Sequence, residues 1–439
     1  MKHWFKDAHF RSLLRNSSYL GVSKAVAAVA GVATLAFAAR GLGVTLFGML
    51  ILIVSYAKAA SGLSKFQSWQ LIVRYGGRAH SGGEQEEFKA STGFAFALDV
   101  VSGIGGMIVA VMLLPFIGQW FGITDQYLWL GMLYCTLLPT MGAATPIGVL
   151  RALDRFDLLS WQGSSYPIAR AILASLAFAS GAPIEAYVAI WLVTDLGGDL
   201  VLWFLAWREL RRRGLLEGIR PTLRPDTLPG AWRFAIHVNL TSSLTTAWGP
   251  IARLVVGGLL GPAGAAIFRV ASSLADAAEK PADLLSKAFY PEVVRMDLAT
   301  NKPWKLMLRG TAMAAAVGLA FILALLLVGR PLIEVIFGEE FIAAYPVIMV
   351  LLIAPLLATL SFPLPSMLYA LDRPDAPLKA RLVGTILFFA TIAPLAWTFG
   401  VIGAALAFVT GTAATVGVLM FQLWREYRRV RGFGAQGPR

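Results

Sequence analysis

Long apolar stretches separated by short polar segments run through the whole chain. A transmembrane helix needs about 20 predominantly apolar residues, because the hydrocarbon core of a bilayer is roughly 30 Å thick. Measured against that length, the pattern predicts twelve helices at 17–39, 44–72, 93–117, 127–150, 160–181, 184–207, 232–259, 263–288, 308–330, 342–370, 378–399 and 401–424. Tight connections that contain Gly or Pro, such as Gly181-Ala182-Pro183, separate some of them. The pattern therefore predicts an all-α polytopic membrane protein.

One polar segment recurs about half a chain length later. Leu153-Asp154-Arg155 returns as Leu371-Asp372-Arg373, 218 positions downstream. At the same displacement Gly43 falls on Gly261, and a long apolar stretch follows each of these glycines. Two matches in one register indicate a duplicated unit, and repeated halves in an apolar chain are typical of secondary transporters.

The longest polar connection, 208–231, contains three prolines and divides the chain into two lobes. The predicted domains are an N-lobe at 1–207 with spans one to six, a basic cytoplasmic linker at 208–231, a C-lobe at 232–424 with spans seven to twelve, and a cytoplasmic tail at 425–439. Six spans return the chain to the side from which it started, so both copies of the Leu-Asp-Arg segment face the same side. The repeats are therefore predicted to be two parallel six-helix bundles.

Composition and charge agree with this interpretation. Hydrophobic residues make up 57 % of the chain and charged residues 14 %, whereas soluble domains contain roughly 25 % charged residues. The net charge is +13, but the basic residues lie in short segments between apolar stretches, which is a pattern of membrane topology and not of nucleic-acid binding. They concentrate on alternate connections, and the opposite loops contain little beyond Arg40 and Arg330. The positive-inside rule then predicts that both termini are cytoplasmic.

Several kinds of chemistry have no signal in this chain. The four histidines lack metal-ligand spacing and there is a single cysteine, so neither a metal nor a cofactor is expected. No phosphate-binding loop of the G-x-x-x-x-G-K-[ST] type occurs, so the chain is not expected to hydrolyse ATP itself. The predicted loops on the face opposite the cytoplasm are short, which disfavours an enzyme. A membrane enzyme of glycan assembly stays the weaker alternative.

Several segments resemble bacterial polysaccharide flippases of the multidrug/oligosaccharidyl-lipid/polysaccharide (MOP) exporter superfamily. The resemblance covers about residues 15–425 and rests on Arg15-Asn16-Ser17-Ser18-Tyr19-Leu20, Ala39-Arg40-Gly41-Leu42-Gly43, Phe47-Gly48, Arg151-Ala152-Leu153-Asp154-Arg155-Phe156, Trp232-Arg233-Phe234 and Asn239. It implies a MATE-like pair of six-helix bundles around a cavity that opens alternately to either side.

The resemblance also implies a function. The usual cargo of these flippases is an undecaprenyl-diphosphate-linked oligosaccharide, a precursor of surface polysaccharide such as O-antigen, lipopolysaccharide or exopolysaccharide. They move it from the cytoplasmic to the periplasmic leaflet of the bacterial inner membrane. The implied partners are this lipid-linked oligosaccharide, membrane lipid, and a polysaccharide polymerase or assembly proteins.

Charged residues inside the predicted spans are the candidate functional groups, because each costs about 2.5–3.5 kcal/mol at mid-helix on insertion scales. Four basic residues, Lys24, Lys58, Arg253 and Arg269, lie in spans one, two, seven and eight, which line the cavity in the relatives. Cations in a wet cavity can replace the hydration of a diphosphate, so these four are predicted to bind the cargo. Lys24 and Lys58 also resemble basic positions of lipid II flippases.

Two carboxylates, Asp99 and Asp276, are candidates for carrying a coupling proton or sodium ion. Lys58 falls on Asp276 at the 218-residue displacement, so these two could pair when the cavity closes. The alternative is that the four cations pair with Asp99 or Asp276 as structural ion pairs. A small-molecule or drug antiporter of the same fold also stays open, although the basic bias of the inner charges disfavours cationic drugs.

The two Leu-Asp-Arg segments are interpreted as structural or gating loops. Asp154, Arg155, Asp372 and Arg373 are expected to cap helix ends and to form contacts between lobes. The basic cluster Arg211-Arg212-Arg213 is expected to anchor the topology through attraction to anionic lipid.

Overall fold

The structure, a computed structural model, describes residues 8–76, 85–294, 300–371, 373 and 375–434. Within these ranges the chain forms helices and no strand. The helices are α1 (Ala8–Ser64), α2 (Trp69–Gly76), α3 (Gln85–Ile117), α4 (Leu128–Cys135), α5 (Ala144–Ala152), α6 (Phe156–Ala179), α7 (Ile184–Arg212), α8 (Ala231–Thr246), α9 (Trp248–Val294), α10 (Lys302–Phe337), α11 (Ala344–Leu351), α12 (Ile353–Ser361), α13 (Pro363–Ala370) and α14 (Asp375–Gly434). Asp372 lies outside the described residues.

The surface of these helices is that of a membrane protein. Among the described residues, seven helices are long and apolar enough to cross a bilayer, and α1 and α14 each contain two of the predicted spans. Large apolar side chains point outward, including Phe116 at 75 % and Leu327 at 81 % exposure. Such exposure would be unfavourable in water but matches a lipid environment. The predicted all-α polytopic fold is confirmed.

Two predicted spans are broken helices. The stretch 127–150 consists of α4, a series of turns and α5, and 342–370 consists of α11, α12 and α13. The breaks fall in apolar sequence that contains proline, which removes a backbone donor and interrupts a helix. These two broken spans are the fourth predicted span of each lobe, so the interruption itself is repeated.

Glycines mark the points where two predicted spans follow each other without a loop. Gly43 interrupts α1 with φ 68° and ψ 173°, and Gly261 interrupts α9 with φ 74° and ψ 178°. A side chain at such a backbone angle would be strained, whereas glycine adopts it readily. The two glycines share one conformation, as expected of equivalent positions in a duplicated unit.

The chain forms two compact units, Met1–Gly258 and Leu259–Arg439. An apolar core in the first unit includes Val149 and Leu150, and one in the second includes Met367 and Leu368. These pairs are 218 positions apart, so the two cores are built from equivalent positions.

The basic linker at 208–231 packs against the helices that precede it in the first unit. Tyr75 donates a hydrogen bond from its hydroxyl to the carbonyl of Pro229 at 3.1 Å, and the indole of Trp232 donates to the carbonyl of Leu223 at 3.0 Å. The Trp232 ring meets that of Phe94 edge-on at 5.3 Å. Helix α8 also packs against α1 and α2, so the compact first unit continues to Gly258. The division into functional lobes at 208–231 stays a prediction.

Candidate functional site

Two of the four predicted cargo-binding cations lie close together in the first unit. Arg253, in the first turns of α9, donates from Nε to the hydroxyl of Ser55 on α1 at 3.0 Å. Ser55 precedes Lys58 by three residues, and side chains at that spacing are neighbours on one helix face. Both cations are half-buried. The fold therefore brings Lys58 and Arg253, 195 positions apart in sequence, to one part of α1.

A buried ion pair lies within electrostatic range of Lys58. Arg170 on α6 forms a salt bridge with Asp195 on α7, and their side chains are 11 % and 17 % exposed. The hydroxyl of Tyr134 donates to the other Asp195 oxygen at 2.5 Å, and Arg170 Nε donates to Thr194 Oγ1 at 2.7 Å. Lys58 interacts electrostatically with Asp195. Asp195 is thus a nearby carboxylate for Lys58, a partner that the sequence did not indicate.

The aromatic surroundings of Arg170 complete this network. Its guanidinium lies 5.4 Å from the ring centre of Trp191 and 5.6 Å from that of Tyr166. A guanidinium over an aromatic face is stabilised by the ring quadrupole, more strongly when it is desolvated. Asp199, one turn after Asp195 on α7, adds a second carboxylate within electrostatic range of Arg170.

Asp99, a predicted ion-coupling carboxylate, is almost fully buried at 1 % exposure. It accepts hydrogen bonds from Ser68 Oγ at 2.7 Å and from the backbone N–H and hydroxyl of Thr145, both at 2.8 Å. Thr145 lies in the first turn of α5, where free backbone N–H groups favour an anion. Lys65 interacts with Asp99 electrostatically and donates to the carbonyl of Met141 at 2.8 Å. Asp99 therefore joins the break between α1 and α2 to the start of α5.

The remaining predicted site residues are placed as follows. Arg269 is half-buried and Asp276 is exposed, both on α9 in the second unit, and the two interact electrostatically. Lys24 is exposed on α1, while its neighbour Ser23 is buried against Gly163 of α6. Within the described ranges, no cluster of three or more His, Cys, Asp or Glu side chains is arranged to hold a metal ion.

The described residues of the two Leu-Asp-Arg loops contribute backbone hydrogen bonds to helix ends. The backbone N–H of Arg155 donates to the carbonyl of Leu150 at 2.8 Å, and that of Arg373 donates to Leu368 at 2.9 Å. In the first loop Asp154, which lies between Leu150 and Arg155, has a positive φ of 56°. This is the hydrogen-bond pattern of a Schellman C-cap, which satisfies the last carbonyls of a helix.

The arginine side chains of these loops form what we call the ionic clasps. In the first clasp, Arg155 pairs with Asp157 at 2.8 Å and with the buried Glu209 near the end of α7. In the second, Arg373 pairs with Asp375 at 3.3 Å and with the buried Glu426 near the end of α14. The first clasp joins the start of α6 to the end of α7, and the second joins the start of α14 to the end of the same helix, beyond its interruption at Gly400.

The first clasp also makes a pH-dependent contribution to the stability of the fold. Hydrogen bonds from Arg155 lower the pKa of Asp157, and the carboxylates of Asp157 and Glu209 raise the pKa of Arg155. A carboxylate whose folded-state pKa is lowered stabilises the fold above its unfolded pKa, and this contribution disappears as the pH falls through the folded value. The pair of Arg155 and Asp157 therefore makes its full contribution to stability at neutral pH.

Glu209 and Glu426 were missed by sequence reasoning, although a signal for them exists. Trp207-Arg208-Glu209 recurs as Trp424-Arg425-Glu426 at a displacement of 217, one less than that of the Leu-Asp-Arg segments. A search that allowed this one-residue change would have found a third repeated segment.

The long apolar helices and outward-facing apolar side chains define a polytopic membrane protein, and its fold is similar to that of solved transporters of the MOP superfamily. An inward-facing multidrug resistance MATE family transporter of the MOP superfamily superimposes with a TM-score of 0.73 at 15 % identity, over 92 % of this chain and 96 % of that one. The lipid II flippase MurJ, in an inward closed conformation, superimposes with a TM-score of 0.70 at 12 % identity, over 94 % and 89 %. A variant of the Vibrio cholerae MATE transporter VcmN gives 0.65 at 13 % identity, over 95 % and 97 %.

The chain belongs to the polysaccharide biosynthesis protein family, whose sequence pattern matches residues 13–296. The inner membrane protein YghQ of Escherichia coli K12 is 40 % identical over 350 residues, covering 79 % of this chain and 99 % of YghQ. The resemblance to MOP-superfamily polysaccharide proteins is thus confirmed.

Proposed function

We propose that this protein is a flippase of the bacterial inner membrane with both termini in the cytoplasm. Its cargo is an undecaprenyl-diphosphate-linked oligosaccharide, which it moves from the cytoplasmic to the periplasmic leaflet by alternating access of two lobes. The translocated unit then passes to a polymerase or to assembly proteins of a surface polysaccharide.

The observation that carries this proposal is the pair of half-buried cations formed by Lys58 of α1 and Arg253 of α9, which bonds to Ser55 one turn before Lys58. Placing a charge inside a membrane costs about 2.5–3.5 kcal/mol, so two such cations close together need a compensating anion. A diphosphate provides several acceptor oxygens for the fork of an arginine and the ammonium of a lysine. Membership of a polysaccharide biosynthesis family supports a lipid diphosphate as the source of that anion.

Asp195 gives Lys58 a counter-ion while no cargo is bound. The incoming diphosphate would compete with Asp195 for Lys58, whereas Asp195 keeps its hydrogen bonds from Arg170 and Tyr134. Lys58 would therefore be exchanged between two anions instead of being left unpaired. Lys24 and Arg269 are the additional cations of this proposal, and Asp99 and Asp276 are its candidates for the coupling ion.

A small-molecule antiporter is the second candidate, favoured by the similarity of the fold to MATE transporters. That similarity, at 15 % identity, concerns the fold alone. A site for cationic drugs would present carboxylates, whereas Lys58 of α1 and Arg253 of α9 present cations. We therefore place the flippase first, and we propose a transporter and not an enzyme of glycan assembly.

The test combines gene deletion with single substitutions. Deletion should abolish the surface polysaccharide, and the wild-type gene should restore it. Lys58→Ala, Arg253→Ala and Arg269→Ala should each reduce export by about tenfold or more, because a hydrogen bond to a charged group contributes roughly 1.5–3 kcal/mol. Lys58→Arg should retain part of the export, since it keeps the charge.

The matched control is Arg330→Ala, which removes an exposed cation at the end of the apolar part of α10. It should export normally at the same expression level. Normal export by all three alanine variants of the proposed site would remove these residues from the mechanism. If the deletion instead raised sensitivity to toxic compounds and left the surface polysaccharide unchanged, the antiporter would replace the flippase.

A further inference from the structure

The helix that ends each six-span half carries the same group of exposed residues at its basic end. In α7 it comprises Phe204, Trp207, Arg208 and Arg211, and in α14 it comprises Phe421, Trp424, Arg425 and Arg428. Every residue of the second group lies 217 positions after its counterpart. We name these groups the first and second Trp-Arg ends.

The side chains of each Trp-Arg end form a ladder along one helix face. Phe204 and Trp207 are three residues apart with ring centres at 6.1 Å, and the guanidinium of Arg211 lies 5.4 Å from the Trp207 ring centre. In the second end, Phe421 and Trp424 are 6.2 Å apart and Arg428 lies 3.8 Å from the Trp424 ring. Residues at these spacings are neighbours on a helix surface, so both ladders run from apolar to basic in the same direction.

These ladders face outward. Phe204 and Trp207 are 56 % and 43 % exposed, and Phe421 and Trp424 are 56 % and 48 % exposed. The four arginines Arg208, Arg211, Arg425 and Arg428 are exposed as well. In a membrane an exposed Phe packs against lipid acyl chains, and an exposed Trp is characteristic of the membrane-water interface. The arginines one turn beyond would then lie at the level of the headgroups.

The ionic clasps remove the negative charge from this surface. Glu209 and Glu426, which lie between the arginines in sequence, are only 4 % and 5 % exposed and are bound by Arg155 and Arg373. The acidic residue next to each Trp-Arg end is therefore turned inward, and the charged groups of the Trp-Arg end itself are all cations.

We propose that each Trp-Arg end binds the phosphate headgroup of an anionic phospholipid of the surrounding membrane. Guanidinium groups match phosphate through paired hydrogen bonds, and the adjoining Trp and Phe provide a surface for the upper acyl chain. A soluble phosphate would meet the guanidiniums but would gain nothing from the aromatic part. This site is separate from the proposed cargo site and does not depend on the nature of the cargo.

The test titrates phosphatidylglycerol or phosphatidylcholine into the purified full-length protein in neutral detergent and measures bound lipid by native mass spectrometry. The variants are Arg208→Gln/Arg211→Gln and Arg425→Gln/Arg428→Gln, which leave the clasp partners Arg155 and Arg373 in place. Each should weaken phosphatidylglycerol binding by roughly 10- to 30-fold at one site, because each of the two cations removed contributes about fivefold to binding at an anionic surface. Combining the two variants should remove both sites.

The control is Arg40→Gln/Arg330→Gln, which removes two exposed cations outside the Trp-Arg ends and should leave binding unchanged. Trp207→Ala/Trp424→Ala should weaken lipid binding without loss of charge, which separates a lipid site from a simple cation cluster. Equal binding of phosphatidylcholine, or of phosphatidylglycerol by wild type and both arginine variants, would overturn the proposal. So would full competition by glycerol phosphate at the concentration of the lipid, which would identify a site for free phosphate.

Discussion

The buried pair of Arg170 and Asp195 allows a quantitative test of how charge is stabilised inside the first unit. Asp195→Asn removes the negative charge and leaves the Arg170 guanidinium, 11 % exposed, with Thr194 as its remaining hydrogen-bond partner in this network. Breaking a buried ion pair by removing one partner costs about 3–5 kcal/mol, because the other charge is left uncompensated. We expect the lower end of that range, since Asn can still accept the hydrogen bond from Tyr134 and Asp199 stays within electrostatic range of Arg170.

This free energy translates into a measurable change in melting temperature. For a folding unit of 150–250 residues, 1 kcal/mol corresponds to roughly 2–4 °C, so about 3 kcal/mol predicts a decrease of roughly 6–12 °C. The measurement is intrinsic tryptophan fluorescence during heating in detergent, at one scan rate for all variants. Lys379→Ala serves as the control, because it breaks the exposed pair with Asp375, 61 % and 43 % exposed, and exposed pairs contribute little to stability.

A compensated variant separates loss of charge balance from loss of packing. Tyr134→Phe/Arg170→Met/Asp195→Leu replaces the ion pair and its tyrosine partner by apolar side chains of similar volume. Replacing a buried ion pair in this way is often neutral or stabilising. It should therefore recover most of the stability that Asp195→Asn loses. A decrease for Asp195→Asn no larger than that for Lys379→Ala would refute the reasoning, as would a triple variant no more stable than the single one.

Two further predictions concern the clasps and the topology. Glu209→Gln and Glu426→Gln should each lower the free energy of unfolding by about 1–3 kcal/mol and the melting temperature by similar amounts, because Arg155 and Arg373 keep Asp157 and Asp375 as partners. A large effect for one and none for the other would show that the clasps are not equivalent. Reporter fusions at positions 215 and 435 should report the cytoplasm and one at 122 the periplasm, and a periplasmic signal at 215 would contradict the two-lobe scheme.

Much of the fold follows from physical constraints that act on sequence directly. A backbone inside lipid must satisfy its hydrogen bonds within each helix, so long apolar stretches identify helices with few alternatives. The pairs Gly43 and Gly261, and Arg155 and Arg373, were predicted as equivalent from their common displacement, and each pair has the same local geometry. The breaks within 127–150 and 342–370 were not predicted, because hydropathy does not distinguish a continuous helix from a proline-interrupted one.

The side-chain network was beyond the reach of the sequence for a different reason. Arg170, Asp195 and Tyr134 lie on three helices, and whether they meet depends on how each helix is rotated about its axis. That rotation is set by packing of small and large side chains between helices, which the hydropathy of an all-round apolar helix does not reveal. The sequence therefore identified inner charges but could not pair Lys58 with Asp195.

Comparing the two halves position by position indicates which features the duplication has kept and which have diverged. The clasps and the Trp-Arg ends are present in both copies. At the 218-residue displacement, however, Tyr134 corresponds to Leu352 and Arg170 to Phe388, which is fully buried and packs against the ring of Phe408. The outer ends of the helices have thus stayed alike while the interior of the first unit has a charge network that the second half replaces with apolar packing. Movement of the lobes is expected to depend on features that both copies share, whereas recognition of a charged cargo is expected to depend on charges that only one copy has. On this reasoning the first unit carries the larger part of the recognition. Substitutions at Lys58 and Arg253 should then affect export more than Arg269→Ala does.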